Sequence, residues 1–151
     1  MPHDLLPPFD PIAAGWKRMD PEGYPALIGP FFARREGEGW RYGFLAEPRH
    51  RNMGGVVHGG ILASIMDHAL GKTVREAVRP LRCATIQLDL HYLAPVMPGD
   101  FVEARGEIVR KTRSVVFVRG HLTVGGRQVL SASGIWKVLE SSRQYGEGGV
   151  A

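Results

Sequence analysis

The sequence contains a single cysteine, Cys83, among 151 residues. One thiol cannot form an intrachain disulfide or supply the several cysteines of a structural zinc site, which favours a reduced, cytoplasmic setting. No apolar run approaches the ~20 residues that a membrane-spanning helix needs, so we expect no membrane partner. The N-terminus lacks a basic segment ahead of an apolar stretch, and we therefore expect no signal peptide.

Positive charge is present but is not concentrated. Nineteen Lys and Arg against 15 Asp and Glu give a net charge of +4, yet no basic run exceeds two residues, as at Arg110-Lys111. Because a nucleic-acid-binding face needs a concentrated basic patch, we expect no nucleic-acid partner. The sequence also lacks a Gly-x-Ser-x-Gly elbow, a P-loop, a complete dinucleotide fingerprint and histidines at metal-helix spacing, so we expect neither a metal nor a nucleotide cofactor.

Glycine, by contrast, is abundant. The chain has 20 glycines in 151 residues, about 13%, against a usual ~7%. Hydrophobic residues make up 44% and charged residues 23%, the balance of one globular domain. We expect an N-terminal arm over residues 1–22, in which a short helix capped by Asp10 runs through Met19. We further expect one domain over 23–140 and a flexible tail over 141–151.

One long helix is predicted over residues 60–78, which lack proline and are followed by Pro80. Alternating polarity and turn signals such as Gly125-Gly126 predict strands on both sides of it. These strands cover residues 31–36, 40–46, 84–93, 101–110, 114–124 and 127–139. The turns between the later strands are too short for parallel crossovers, so we expect an α+β fold in which the strands after the helix form an antiparallel meander.

The densest group of chemically useful residues lies before and within the first half of the predicted helix: Asn52, His58, Gly59, Gly60, Asp67 and Gly71. At the helix start, the N–H groups of Gly59 and Gly60 lack intrahelical acceptors, and the helix dipole favours an oxyanion or a polarised carbonyl there. His58 lies beside them and can donate a hydrogen bond or carry a proton near neutral pH.

Asp67 lies roughly 13 Å along the helix axis from His58. A carboxylate at the border of an apolar face costs free energy unless it is paired or used. Two groups this far apart cannot act on one bond within one chain, but they can if two identical helices lie antiparallel across a two-fold axis. Simpler interpretations stay open for each residue alone: a tight turn at the glycines, a satisfied loop histidine, an exposed Asp67 and a turn-forming Asn52.

The segment from Asn52 to Gly71 resembles the signature of hotdog-fold acyl-CoA thioesterases of the phenylacetic-acid-degradation (PaaI-like) branch. That family places an Asn six residues before a His-Gly-Gly and an Asp or Glu nine residues after the His. Asn52, His58, Gly59 and Asp67 match this pattern. Residues 84–95, 99–100 and 134–136 are also similar, so the likeness covers about residues 38–138.

The resemblance implies a hotdog fold, in which a curved antiparallel sheet wraps a long central helix. It implies dimers, often paired into tetramers, that hydrolyse acyl-CoA at the dimer interface, with coenzyme A as part of the substrate and no further cofactor. The Gly59 N–H would polarise the thioester carbonyl, with His58 supporting it. Asp67 from the partner would act as nucleophile or as base for a water, Asn52 would orient that water or the carboxylate, and Thr85 would hydrogen-bond in the same pocket.

Substrate contacts are predicted at two further places. Gly60 and Gly71 would allow close approach beside the reacting atoms. Arg110, Lys111 and Arg113 are candidates for the phosphates of coenzyme A. Thr112 stands where the family commonly has a Gly before the basic residue, and a solvated hairpin turn is an alternative interpretation of these cations.

Two other functions fit the same fold: a hydratase or dehydratase, and a non-catalytic acyl-CoA-binding or sensing module. The Asn52 match argues against the first, and a carboxylate in an apolar setting at Asp67 argues against the second. The acyl group stays open, with aryl, branched and straight chains as candidates.

Overall fold

The structure is a computed structural model that describes residues 8–140. Its elements in chain order are β1 (Lys17–Arg18), α1 (Tyr24–Ile28), β2 (Phe31–Glu36), β3 (Gly39–Leu45), a 3-10 turn (Pro48–His50), α2 (Gly59–Val78), β4 (Arg82–Tyr92), β5 (Phe101–Lys111), β6 (Val115–Val124) and β7 (Arg127–Leu139). The predicted long helix and all six predicted strands are confirmed, with ends that differ by no more than two residues.

The seven strands form one antiparallel sheet in the order β1-β2-β3-β5-β6-β7-β4. The expected meander is therefore right for β5 to β7 and wrong for β4, which pairs with β7 at the edge. The reason lies in the connection over residues 93–100. Its start bonds to β7, where the Leu93 N–H donates to Val129, and its end bonds beside β3, where the Ala46 N–H donates to Asp100.

Helix α2 packs against β3, β4, β5, β6 and β7, so the sheet wraps around it and the predicted α+β architecture is confirmed. Its buried residues recur every three or four positions and form the centre of the core: Leu62, Ile65, Met66, Ala69, Leu70, Val74 and Val78. Neither α2 nor any other helix within residues 8–140 has the apolar length to cross a membrane.

Two glycines let α2 lie directly on the sheet backbone. A β-carbon on Gly120 would lie 2.5 Å from the Arg105 carbonyl oxygen and 2.8 Å from the Leu70 and Met66 side chains. A β-carbon on Gly106 would lie 2.7 Å from Thr73 Oγ1. Part of the glycine excess is therefore explained by close helix-to-sheet packing.

The N-terminal segment differs from its prediction. The Asp10 carboxylate accepts the N–H groups of Ile12 and Ala13, as expected of an N-cap, but a single turn follows in place of a helix through Met19. Gly15, at φ 84°, ends that turn, and the chain enters β1. The five-residue α1 was not predicted, and the predicted tail at 141–151 lies outside the described residues.

Replacing Gly120 by Ala is expected to lower the free energy of unfolding by about 1–3 kcal/mol, because the new methyl group overlaps backbone as well as side chains. Urea unfolding measures the change. Gly39→Ala is the matched control, since its nearest neighbour to a β-carbon is 3.8 Å away. Equal stabilities for the two variants would contradict the packing described here.

Candidate active site

The first turn of α2 is capped by a side chain. His58 is the N-cap residue, and its Nδ1 accepts the Gly60 N–H at 2.9 Å. The N–H groups of Ile61 and Leu62 donate to the His58 carbonyl at 3.0 and 3.4 Å. The prediction that both glycine amides are free is therefore wrong for Gly60. Only the Gly59 N–H in this turn has no acceptor among residues 8–140.

The cap also fixes the protonation pattern of the His58 ring. Because Nδ1 accepts a hydrogen bond, the proton of the neutral imidazole lies on Nε2. The His58 side chain is exposed, so this Nε2–H is available to a ligand. The helix start thus offers two donors, the Gly59 N–H and the His58 Nε2–H, at the positive end of the helix dipole.

Asn52 lies in the loop that leads to this turn. Its Oδ1 accepts the Gly54 N–H at 2.8 Å, and its own N–H donates to the Val56 carbonyl at 2.7 Å. The Asn52 side-chain oxygen therefore stabilises a turn, as the simpler interpretation of this residue expects. Its Nδ2 group has no acceptor within the described chain and is therefore available to donate to a ligand.

Asp67 and Thr85 are brought together by α2 and β4. Thr85 Oγ1 donates to Asp67 Oδ1 at 2.8 Å. The pairing of β4 with β7 shifts between Thr85 and Gln87, which leaves Ile86 as an extra residue and turns Thr85 toward the helix. Asp67 is half-buried, and its Oδ2 receives no hydrogen bond from residues 8–140, so one carboxylate oxygen is fixed and the other is available.

The predicted catalytic residues therefore form two groups on one continuous helix. His58 and Gly59 lie at its start, and Asp67 with Thr85 lies roughly 13 Å further along. Gly71 lies one turn beyond Asp67. A β-carbon there would meet only Trp136 Nε1 at 3.6 Å, an ordinary contact, so nothing within residues 8–140 requires glycine at that position.

The predicted phosphate-binding cations lie near the other end of α2. Lys111 Nζ donates to the Ala77 carbonyl at 2.8 Å, while Arg110 and Arg113 are exposed. Thr112 exchanges hydrogen bonds of 2.9 and 3.0 Å with Val115 and closes the turn between β5 and β6. Within one chain these cations lie almost the whole length of α2, roughly 28 Å, from Gly59.

Tyr92, the last residue of β4, was not among the predicted site residues. Its hydroxyl donates to the Gly59 carbonyl at 2.8 Å, and its ring lies against the Gly59 backbone. The alternating pattern of β4 placed Tyr92 with the apolar residues and so gave no indication of this polar contact. The one feature that could have indicated this contact is the aromatic hydroxyl at the end of an edge strand.

His68 lies beside Asp67 and was also not predicted as part of the site. Its ring packs on Phe31 with centroids 4.8 Å apart, and its Nε2 is buried with no hydrogen-bond partner in the described chain. Burial and the nearby positive charge of Lys72 lower the pKa of His68, whereas the negative charge of Asp67 acts to raise it. His50, buried beneath the helix start, likewise has a pKa lowered mainly by burial.

Other chemistry has little support in the described residues. Burial raises the pKa of the Cys83 thiol, which disfavours the nucleophilic thiolate. Within residues 8–140 no group of three or more His, Cys, Asp or Glu side chains is arranged to hold a metal ion. The polar groups at the site are thus two donors at a helix start and a carboxylate held by a threonine.

Comparison with known proteins assigns the family. Residues 54–131 match the thioesterase superfamily. The chain is 32% identical over 114 residues to the Pseudomonas aeruginosa protein named Putative esterase PA0474, covering 73% of this chain and 84% of that one. The chain therefore belongs to the thioesterase superfamily, as the resemblance of its Asn, His-Gly-Gly and Asp pattern predicts.

Solved structures show the same fold. The BH2602 protein of Bacillus halodurans, determined with CoA, superposes with a TM-score of 0.68 at 28% identity, over 72% of this chain and 74% of that one. A phenylacetic acid degradation-related protein of Ralstonia eutropha superposes with a TM-score of 0.62 at 22% identity, over 85% and 88% of the two chains. The fold is the hotdog fold, and family membership supports thioester hydrolysis as the general activity.

The buried histidines predict a pH dependence of stability. Because the folded pKa of His68 is below the ordinary 6.5, the unfolded chain binds more protons, and stability falls as the pH drops below about 6.5. Each such histidine contributes a slope of at most about 1.4 kcal/mol per pH unit.

His68→Gln is expected to flatten this slope, as measured by urea unfolding between pH 7.5 and 5. His91→Gln, which changes an exposed histidine, serves as the control. An unchanged slope in His68→Gln would contradict the assignment of a lowered pKa to the partly buried His68.

Proposed function

We propose that this protein hydrolyses acyl-CoA thioesters to a free acid and CoA at a site shared by two copies of the chain. The observation that carries the proposal is the arrangement along α2. An unsatisfied Gly59 N–H opens the helix, and an Asp67 carboxylate with one oxygen fixed by Thr85 lies further along it. Membership of the thioesterase superfamily and the CoA in the BH2602 structure support the substrate class.

A free sheet edge supports pairing of two copies. Strand β4 is at the end of the strand order and has β7 as its only neighbour within the described residues. It is 11 residues long, and Ile86, Tyr92 and the adjoining Leu93 are 56%, 53% and 55% exposed. A long, partly apolar edge is a ready template for strand pairing. Antiparallel pairing of two β4 strands would continue the sheet and set the two α2 helices antiparallel.

In that dimer, His58 of one copy would face Asp67 of the partner subunit. The two groups lie roughly 13 Å apart along one helix and so cannot meet within one chain. When two such helices lie antiparallel, the same separation would place each group opposite its counterpart in the other copy. Each dimer would contain two identical sites. Pairing of two dimers into a tetramer stays a prediction from the family resemblance.

The chemistry follows from the groups at each end. The thioester carbonyl oxygen would accept hydrogen bonds from the Gly59 N–H and the His58 Nε2–H, which stabilise the negative charge that develops as the carbonyl carbon is attacked. Asp67 of the partner subunit would either attack that carbon, forming an anhydride that water then cleaves, or remove a proton from an attacking water. In both routes the acyl–sulfur bond breaks and the thiolate of CoA leaves and takes a proton.

The supporting residues have distinct roles in this scheme. Thr85 holds one oxygen of Asp67, so that the other oxygen is presented to the substrate or to water. Asn52 would act through its Nδ2 donor, toward the oxygen of the water or of the carboxylate, because Nδ2 has no acceptor in the described chain whereas Oδ1 already accepts the Gly54 N–H. Gly60 and Gly71 would keep the facing helices free of side chains next to the reacting atoms.

The dimer also suggests which copy supplies the phosphate contacts. In the antiparallel dimer, Asp67 of the partner subunit would face His58. Ala77 of the partner subunit is ten residues further along its own helix, so it would lie roughly 15 Å beyond the start of the first copy's helix. Lys111 bonds to the Ala77 carbonyl, so Arg110, Lys111 and Arg113 of the partner would lie on the solvent side of the site. They would be placed for the phosphates of CoA, whereas the cations of the same chain lie at the far end of the helix.

Replacing Asp67 by Asn is expected to reduce kcat by about 10²–10⁴-fold while the dimer persists, because the amide can neither attack the carbonyl nor remove a proton. A panel of phenylacetyl, hydroxyphenylacetyl and short and medium straight-chain CoA thioesters, with detection of released thiol, gives the measurement. Asp20→Asn, an exposed carboxylate outside the helices and the sheet, is the matched control.

The same panel separates the alternatives. Unchanged hydrolysis in Asp67→Asn would refute the proposed role of Asp67. Tight binding of acyl-CoA with no thiol release by the wild type would favour a binding module, and addition of water to enoyl thioesters would favour a hydratase.

Mixed dimers test whether the site is shared. His58→Ala and Asp67→Asn are each expected to be nearly inactive as homodimers. In a mixed dimer, the wild-type His58 of one chain meets the wild-type Asp67 of the other, so random mixing should restore about a quarter of the wild-type sites. Thiol release measured before and after refolding the two variants together shows the effect. No recovery in a verified mixed dimer would place both residues in the same chain's site.

A further inference from the structure

Tyr92 makes two contacts with Gly59, the residue whose N–H is the unsatisfied donor of the site. Its hydroxyl donates to the Gly59 carbonyl at 2.8 Å. Its ring lies so close that a β-carbon on Gly59 would be 3.3 Å from Cε1 and Cζ and 3.5 Å from the hydroxyl oxygen. Tyr92 joins the end of β4 to the first residue of α2, two elements separated by more than 30 positions in the sequence.

The hydrogen bond adds to the ordinary bonding of the helix. In an α-helix the Gly59 carbonyl already accepts the N–H four residues later, and a carbonyl oxygen has a second lone pair. The Tyr92 hydroxyl uses that second position. Because Gly59 and Gly60 have no side chains to restrict their backbone, this turn is intrinsically the softest part of α2. An external bond to the peptide that joins them limits its rotation.

The ring contact explains why residue 59 is glycine. Gly59 does not have a positive φ, so its backbone conformation is open to any residue. The constraint is space, since a methyl group would press on the Tyr92 ring at a distance tighter than ordinary contacts. The glycine is therefore matched to the tyrosine.

We propose that Tyr92 is a positioning residue: its hydroxyl holds the Gly59–Gly60 peptide and its ring lies against the Gly59 α-carbon, so rotation about Gly59 is limited and the neighbouring Gly59 N–H stays directed toward the substrate carbonyl. The inference rests on the proposed function, because it assigns the Gly59 N–H to the thioester. Its hydroxyl fixes the carbonyl side of Gly59, and its ring closes one side of the residue. Tyr92 thereby acts on the reaction through Gly59.

Tyr92→Phe removes the hydroxyl and keeps the ring. The expected result is a fall in kcat of about three- to tenfold with KM changed less than twofold, because the lost bond orients a group that acts chiefly on the transition state. Tyr24→Phe is the matched control. Tyr24 is 58% exposed against 53% for Tyr92, and its hydroxyl also bonds to α2, at Ser64 Oγ, 3.0 Å away. A wild-type kcat in Tyr92→Phe would overturn the inference.

A double variant tests whether the glycine and the tyrosine act through one contact. Gly59→Ala is expected to reduce kcat by displacing the Tyr92 ring. If both substitutions act on the same contact, Gly59→Ala combined with Tyr92→Phe loses much less than the product of the two separate losses. Multiplicative losses would show independent effects and would contradict the proposal.

One measurement is independent of turnover. The Gly60 amide shares its peptide with the Gly59 carbonyl, so its ¹⁵N–¹H signal should shift in Tyr92→Phe and stay in place in Tyr24→Phe. An unmoved Gly60 signal in Tyr92→Phe would overturn the inference. If the wild type hydrolyses no acyl-CoA, the proposed function fails, while the Gly60 signal still decides whether Tyr92 holds the Gly59 peptide.

Discussion

The continuity of α2 is the constraint on which the rest of the structure depends. One unbroken helix of 20 residues places the Gly59 amide at its start and the Asp67 carboxylate well along it. A rigid helix cannot bend these groups together, so a reaction that needs both must use a second copy. Within residues 8–140, β7 is the only strand beside β4, and Thr85 holds Asp67 without any contribution from a second copy.

Close packing around α2 accounts for part of the glycine excess. Gly106 and Gly120 lie where the helix rests on strand backbone, and Gly59 lies where the helix start rests on the ring of Tyr92. In each case a methyl group would collide with a neighbour, so glycine is needed for space and not for a special φ angle. The same residue type thus serves the core along the middle of the helix and the candidate site at its start.

The long helix and the strands could be predicted from the sequence, whereas several contacts at the site could not, and the difference has physical reasons. Pro80 indicated the end of the helix and alternating polarity indicated the strands, because local patterns determine these elements. The pairing of β4 with β7, the five-residue α1 and the Tyr92 bond depend on long-range contacts that leave no local period. The capping of the Gly60 amide by His58 depends on a side-chain rotamer, which residue spacing does not encode. The approach of Thr85 to Asp67 required the bulge at Ile86, and only the family resemblance pointed to it.

The most direct test of the shared site is a crystal structure of the Asp67→Asn variant with an acyl-CoA substrate. We expect a dimer joined through β4, with the thioester carbonyl at the Gly59 N–H of one subunit and residue 67 of the partner subunit next to the carbonyl carbon. A substrate bound entirely within one chain, or a thioester carbonyl far from the start of α2, would contradict it.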